Sequence, residues 1–410
     1  MNDTIVVDVA IVGAGPAGSC CAYYLGKNSE LSVALIDKST FPRDKSCGDG
    51  LGPGAIGIAS EMGMDDFLSQ YKTIEYITVS APSGKAVTGG APRVEGSKPI
   101  GYVIPRTILD HAILKQALTV GPIDLTGNGF KDASFDEKTK LWTVTLTNTQ
   151  TKQTRSVQCK YLIGADGARS RVRRLFGQPM NDDANTAIGV RIYGERTKTE
   201  KRDLRIDFTK ELSPAYGWVF PEDETKCNIG LGVHLDYYHE KNVHINDLLD
   251  DYITYCETHS DIKVDRDSIK SYVLPAGSQM PEFGFEHGAL LGDAASMINP
   301  LTGEGIFYGM WAGRALAQEL DICDKKDQSF AKASKRYTKA FNKKFKEHFH
   351  TNWRMSQAVG RKGLMNSVMD AGSKDKDIVS VMLEIMMGDR KKVDAGTLMK
   401  LVLNGVKREG

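Results

Sequence analysis

The residues able to do chemistry in this 410-residue chain fall in a few short stretches. The first is Gly13-Ala14-Gly15-Pro16-Ala17-Gly18, with Asp37 following. An acid about twenty residues beyond such glycines accepts hydrogen bonds from an adenosine ribose. Gly13 permits a tight turn, Gly15 lets a pyrophosphate approach the backbone, and Gly18 lets helix and strand pack closely. Ala17 at the helix start and Lys38 after the acid belong to the same candidate surface. The second stretch is Cys47-Gly48-Asp49-Gly50. A thiol with an ordinary pKa of about 8.5 is mostly protonated at neutral pH and can donate a proton. The competing explanation for Cys47 is a small buried residue in a tight loop. Two further acids, in Asp166-Gly167 and Gly292-Asp293, follow apolar runs, where doubly wound sheets bind ligands. For Asp166, helix capping explains the pattern equally well. The loop Pro300-Leu301-Thr302-Gly303-Glu304-Gly305-Ile306 opens a helix and offers free N–H groups at a positive dipole end. Tyr216, Trp218, Phe220 and Pro221 form the densest aromatic cluster, either a ligand wall or ordinary sheet packing.

The elements that must hold these residues are legible in outline. Residues 5–12 and 31–36 are short β-branched runs, read as buried parallel strands around a small-residue helix at 17–25. Pro53 opens a helix over 54–62. Residues 70–100 are strands and turns, residues 107–118 a helix, and 141–146 and 156–163 two strands. Alternation predicts strands at 187–193, 204–208, 216–220, 227–234 and 269–274, interrupted by a helix at 245–259. A helix follows the glycine loop to about residue 320. The expected fold is α/β: a Rossmann-type nucleotide-binding domain with an interleaved antiparallel-sheet substrate domain and a helical C-terminal region. The expected boundaries are 1–70 plus 100–184 plus 286–320 for the first, 71–99 plus 185–285 for the second, and 321–410 for the third.

Bulk properties narrow the function classes. Lys+Arg is 53 and Asp+Glu is 52, a formal net charge of +1, so nothing global points to nucleic acid. The seven cysteines are odd in number and lack metal-ligand spacing, which fits a reducing compartment, and no metal is expected. Neither a secretory signal nor an apolar run of about 18 residues is visible, so a cytoplasmic location is expected. Residues 325–346 are rich in lysine, and Tyr337, Phe341 and Phe345 recur every fourth residue. Two outcomes are open: peripheral contact with an anionic membrane, or an aromatic face packed on the body with solvated lysines. Two more helices are expected within 363–410, with 379–387 strongly apolar.

Three motifs in order, Gly13-x-Gly15-x-x-Gly18 with Asp37, Asp166-Gly167, and Gly292-Asp293 with the loop from Pro300 to Gly305, resemble the FAD-dependent oxidoreductases of the p-hydroxybenzoate hydroxylase fold. The resemblance implies FAD as cofactor, with Arg106 near the flavin. The helix start around Gly303, Gly305 and Ile306 would then face the negative charge a reduced flavin carries near N1 and O2. Within that superfamily, Cys47-Gly48-Asp49-Gly50-Leu51 and Tyr216-x-Trp218-x-Phe220-Pro221 followed by Gly230-x-Gly232 are similar to the geranylgeranyl reductase family. That likeness implies reduction of isoprenoid double bonds, Cys47 at the flavin face, and an apolar substrate against Tyr216, Trp218, Phe220, Pro221, Gly230 and Gly232. A flavin monooxygenase acting on an aromatic, indole-type or terpenoid compound is the main alternative, and a non-catalytic flavin- and lipid-binding protein a further one. No second strand–GxGxxG–helix unit appears, so NADPH, NADH or a ferredoxin-like donor protein would reduce the flavin transiently.

Overall fold

A computed structural model describes residues 4–90, 101–197, 202–208, 216–240, 243–359 and 366. The two helices expected within 363–410 lie outside the described residues, Asn366 apart. Two large sheets organise the rest. In the first, strand order runs Gly284–Phe285, Gly288–Leu290, Thr154–Gly164, Ile5–Val12, Val33–Asp37, Ile123–Thr126. The four pairings from Gly288–Leu290 to Ile123–Thr126 are parallel. Parallel strands are covered on both faces, which accounts for the nearly unbroken burial of Val9 to Val12 and Val33 to Ile36. The hairpin Asn128–Asp136 and Leu141–Asn148 extends Thr154–Gly164 antiparallel. The helices Pro16–Asn28 and Ile306–Lys325 pack against each other on this sheet.

The second sheet runs Ile262–Pro275, Thr186–Arg196, Lys226–His234, Tyr216–Pro221, Asp203–Asp207, Tyr76–Ser80, Ala86–Gly90. It is antiparallel except where Asp203–Asp207 pairs parallel with Tyr76–Ser80. Its first strand is longer than the run predicted at 269–274, and the register shifts opposite it between Arg191 and Tyr193. Side chains alternate between the two faces. Val190, Ile192, Val219, Ile229 and Leu231 meet Leu248, Leu249, Tyr252 and Ile253 of the helix Ile245–Ser260. Tyr216, Trp218 and Phe220 point the other way, toward the first sheet.

Beyond residue 325 come the helix Phe330–Phe341, a π-helical turn Asn342–Lys346 and the helix Glu347–Val359. Tyr337, Phe341 and Phe345 are buried, in ring contact with Phe283, Trp311 and Tyr308. The aromatic stripe therefore belongs to the core, while lysines such as Lys335 and Lys339 stay outside. Any membrane contact of residues 325–346 would rest on those lysines, because the apolar face is already covered.

Candidate active site

One cavity of about 980 Å³ lies between the two sheets, and most of the predicted site residues line it. Its floor is the carboxyl end of the parallel strands. Gly13 adopts φ +113° there, and a Cβ on it would stand 2.1 Å from the Ala165 carbonyl oxygen, so only glycine fits the turn. The helix Pro16–Asn28 begins at Gly15 with no side chain capping it. Asp37 closes its strand; its carboxylate accepts from the Ala14 and Ser39 N–H groups, at 2.8 Å each, and keeps lone pairs toward the cavity. Asp166 also reaches the cavity, but its carboxylate is engaged: Ser170 Oγ, Arg171 N–H and Val172 N–H donate to it at the start of the short helix Arg171–Leu175. Helix capping accounts for the Asp166 carboxylate, and the same residue lies on the cavity wall. Gly167 lines the cavity beside it.

At the far end, Gly292, Asp293, Gly303, Gly305 and Ile306 line the same space. The loop is closed on itself by Asn299, whose side-chain oxygen accepts from Leu301 N–H at 2.9 Å and whose carbonyl accepts from Gly303 N–H at 3.0 Å. Pro300 sits in that turn and does not reach the cavity wall. The helix Ile306–Lys325 starts at Gly305, again without a side-chain cap. Asp293 is paired with Lys45, Nζ to Oδ2 3.1 Å, and Lys45 stands over the Tyr272 ring.

The middle of the cavity is bounded by the Cys47 loop and by Arg106. The Arg106 guanidinium is buried and grips Asp110 through Nε (2.5 Å) and a terminal nitrogen (2.8 Å), while Arg43 pairs with the same carboxylate at 2.9 Å. Burial opposes its charge, but the Asp110 carboxylate beside it outweighs that and holds it protonated. Cys47 and Gly48 line the cavity, and Gly48 lies directly under Phe220 and the Trp218 indole. Asp49 turns away behind the wall and is fully buried. Its carboxylate accepts from Asn228 Nδ2 (2.6 Å), Tyr193 OH (2.9 Å) and Arg106 N–H (3.2 Å). Burial pushes Asp49 up to about 6, against the pull of Asn228, Tyr193, Arg106 and Arg191. Asn228 is the hub: its amide also donates to the Cys47 carbonyl (2.8 Å), and its oxygen accepts from Trp218 Nε1 (2.9 Å).

The roof is the inner face of the second sheet. Tyr216, Trp218 and Phe220 line the cavity, whereas Pro221 alternates to the opposite face. Gly230 stands opposite Trp218, and a Cβ there would lie 2.3 Å from the indole Cζ2. Its bare backbone lets the ring lie flat on the sheet. Gly230 therefore acts beneath the aromatic wall; neither it nor Gly232 lines the cavity, and a Cβ on Gly232 would meet nothing within 4 Å. Tyr216 OH donates to the Thr302 carbonyl at 2.9 Å and ties roof to floor. Sequence reasoning missed Asn228, Tyr193 and Glu304. Glu304 lay in plain view between Gly303 and Gly305, whereas Asn228 carries no local signal at all.

The FAD binding domain family matches residues 6–326. The chain belongs to that family. It is an FAD-dependent oxidoreductase of the p-hydroxybenzoate hydroxylase-like superfamily, with geranylgeranyl reductases among its relatives. The flavoenzyme is 31% identical over 328 residues to a menaquinone reductase of Mycobacterium tuberculosis, covering 77% of each chain. It is 25% identical over 390 residues to a digeranylgeranylglycerophospholipid reductase of Thermoplasma acidophilum, covering 91% of each. A crystal structure of a geranylgeranyl bacteriochlorophyll reductase-like protein from Thermoplasma acidophilum superposes with a TM-score of 0.79 at 18% identity, covering 99% of this chain and 98% of that one, a likeness of fold. The cavity suits the cofactor. Two helix N-termini without side-chain caps open on it, one beside Asp37 and one at the Gly303–Ile306 end. Their unbonded N–H groups are ready partners for a pyrophosphate and for an electron-rich ring system. Among the described residues no group of side chains could hold a metal, and no helix is long and apolar enough to cross a membrane.

Proposed function

We propose that this flavoenzyme saturates an isolated carbon–carbon double bond in a polyprenyl chain, with a prenylated quinone as the favoured substrate. The observation that carries the reading is the composition of the cavity roof. Ile77, Leu204, Ile206 and Phe208 continue the wall begun by Tyr216, Trp218 and Phe220, on neighbouring strands. The charged side chains of Asp203, Arg205 and Asp207 alternate to the opposite face, where Arg205 and Asp207 meet Tyr255 and Tyr252. The cationic lining residue Lys270 lies on the far strand of the sheet. An apolar chain is thus received at one edge, away from the charged end. The names of the relatives support the same class: menaquinone reductase and digeranylgeranylglycerophospholipid reductase.

Gly13, Gly15, Ala17, Asp37 and Lys38 would hold the adenosine and pyrophosphate parts of FAD, and Gly292, Asp293, Gly303, Gly305 and Ile306 the flavin. When bound and reduced, FAD supplies a hydride. An isolated alkene has no carbonyl to absorb developing charge, so the protein must exclude water, fix the alkene and provide a proton. Trp218 and Phe220 exclude water above the Cys47–Gly48 turn. Arg106 stays charged at the edge of the site through Asp110. Among the groups that can give a proton and that line the cavity are the Cys47 thiol and the Glu304 carboxyl. The electron donor is a transiently docking nicotinamide nucleotide or a donor protein.

The reading is tested by incubating the purified flavoprotein with a reduced nicotinamide nucleotide or dithionite and a menaquinone-type prenyl quinone, then weighing the product. A gain of two hydrogens supports it. A gain of one oxygen, coupled to oxygen uptake, would move the protein to the monooxygenases.

A further inference from the structure

Glu304 lines the cavity at the loop that opens the helix Ile306–Lys325. The other acids around the cavity are committed. Asp166 caps a helix, Asp293 is paired with Lys45, Asp44 is paired with Arg191 and Lys270, Asp37 holds two backbone N–H groups, and Asp49 lies behind the wall under three donors. The Cys47 thiol adjoins the Arg106 guanidinium. Glu304 makes no side-chain hydrogen bond or ion pair with the described residues. Burial alone, with nothing opposing it, lifts its carboxyl to about 7.

Behind Glu304 lies a second feature. Tyr308, one helical turn on, is fully buried, and its hydroxyl stands 3.0 Å from His348 Nε2 on the helix Glu347–Val359. Asn299 and Asn352 each point a side-chain amide at that nitrogen, at 3.4 and 3.1 Å. Amide groups can only donate there, so Nε2 is the unprotonated acceptor of a neutral imidazole, in keeping with the burial that lowers the His348 pKa. The Tyr308 hydroxyl accordingly donates to His348 and accepts from Asn299 Nδ2 at 3.2 Å. His348 is half-buried and bridges the interior to the surface. Tyr308 lies on the helix that Glu304 precedes and His348 on the helix behind; the charged and titratable groups elsewhere on the cavity wall include Cys47, the Lys45–Asp293 pair and the Asp44–Lys270 pair.

We propose that Glu304 is the proton donor of the reduction. The proposal rests on the prenyl-reductase reading. In the step, one alkene carbon gains a hydride from reduced FAD and the other gains the Glu304 proton. The alkene is reduced by two electrons, the cofactor is oxidised by two, and Glu304 is left as a carboxylate. A proton taken up from solvent after the product leaves the cavity restores it.

The test compares pre-reduced, FAD-loaded wild type, Glu304→Gln, Glu304→Asp, Tyr308→Phe and Cys47→Ala in single turnovers with a menaquinone-type quinone across pH. Loss of a general acid lowers the rate by about 10²–10⁴-fold. Glu304→Gln is expected to show that loss with unchanged flavin content and visible spectrum, and to remove the fall in rate expected of wild type above pH 7. Glu304→Asp keeps part of the rate and the fall. Tyr308→Phe, whose hydroxyl is bonded to His348 and Asn299 and not to Glu304, keeps the wild-type rate and pH profile. Infrared difference spectra of the unreacted flavoprotein across the same range give an independent readout: a protonated-carboxyl band titrates in wild type and is absent in Glu304→Gln. An unchanged rate and pH profile in Glu304→Gln, or the whole loss falling on Cys47→Ala, overturns the proposal and leaves the prenyl reading intact. Failure of wild type itself to form saturated product overturns both.

Discussion

Asn228 shows how the Cys47 turn is held: one amide joins the Cys47 carbonyl, the Asp49 carboxylate and the Trp218 indole. The carboxylate it meets is raised by burial and stabilised by donors, so its charge state governs what each donor contributes. Below its unfolded value near 4, Asp49 is neutral in both states. As pH rises through about 6 the buried group must ionise, and stability it contributed is lost. Tyr193 lessens that loss by donating to the charged form. Tyr193→Phe is therefore expected to lower stability by about 1–3 kcal/mol at pH 8 and by much less at pH 5. Denaturant titrations at the two pH values check this; an equal loss at both would show that the hydroxyl does not act through the Asp49 charge. None of this was readable in sequence. Cys47 and Asp49 stand out locally, but Asn228 lies 181 residues from Cys47 and resembles any strand asparagine.

Strands and turns were more legible than the pairs of residues between them. The run Ile5–Val12, the turn at Gly13 and the helix Pro16–Asn28 follow from composition, because a buried parallel strand and an uncapped helix start each impose a local residue choice. The parallel pairing of Asp203–Asp207 with Tyr76–Ser80 was not legible, since it joins strands from distant parts of the chain and leaves each with an ordinary alternation. The Tyr216-x-Trp218-x-Phe220 pattern left wall and packing equally open, and the structure separates the residues: alternate ones face the cavity, while glycine at 230 makes room for the indole. Gly230→Ala brings a Cβ against the Trp218 ring and the Val190 carbonyl. Such overpacking costs about 1–3 kcal/mol. A raised KM for the prenyl substrate, with FAD retained, is the expected outcome in steady-state assays. An unchanged KM would mean the indole position does not shape the substrate wall.

At the scale of the whole molecule, the cavity exists because two sheets and the C-terminal helices close around it. Phe341, Phe345 and Phe349 anchor those helices to the body, and Met355 on the last of them reaches the cavity. Phe341→Ala removes a fully buried ring and is expected to destabilise the protein by about 3–5 kcal/mol. A thermal scan with no shift would mean the helices dock independently of that ring. The periodicity of those aromatics was visible in sequence, but not which surface it covers, because a core-facing stripe and a membrane-facing stripe have the same spacing. The proposed reaction is reduction of a polyprenyl alkene by flavin. It is tested most directly by anaerobic stopped-flow: reduce the flavoprotein with dithionite, remove the excess, and mix it with a menaquinone-type quinone or geranylgeranyl diphosphate while following flavin absorbance. Reoxidation of the flavin without oxygen, with a product heavier by two hydrogens, is the predicted result. A flavin that stays reduced until oxygen is admitted, and then yields an oxygenated product, would contradict it.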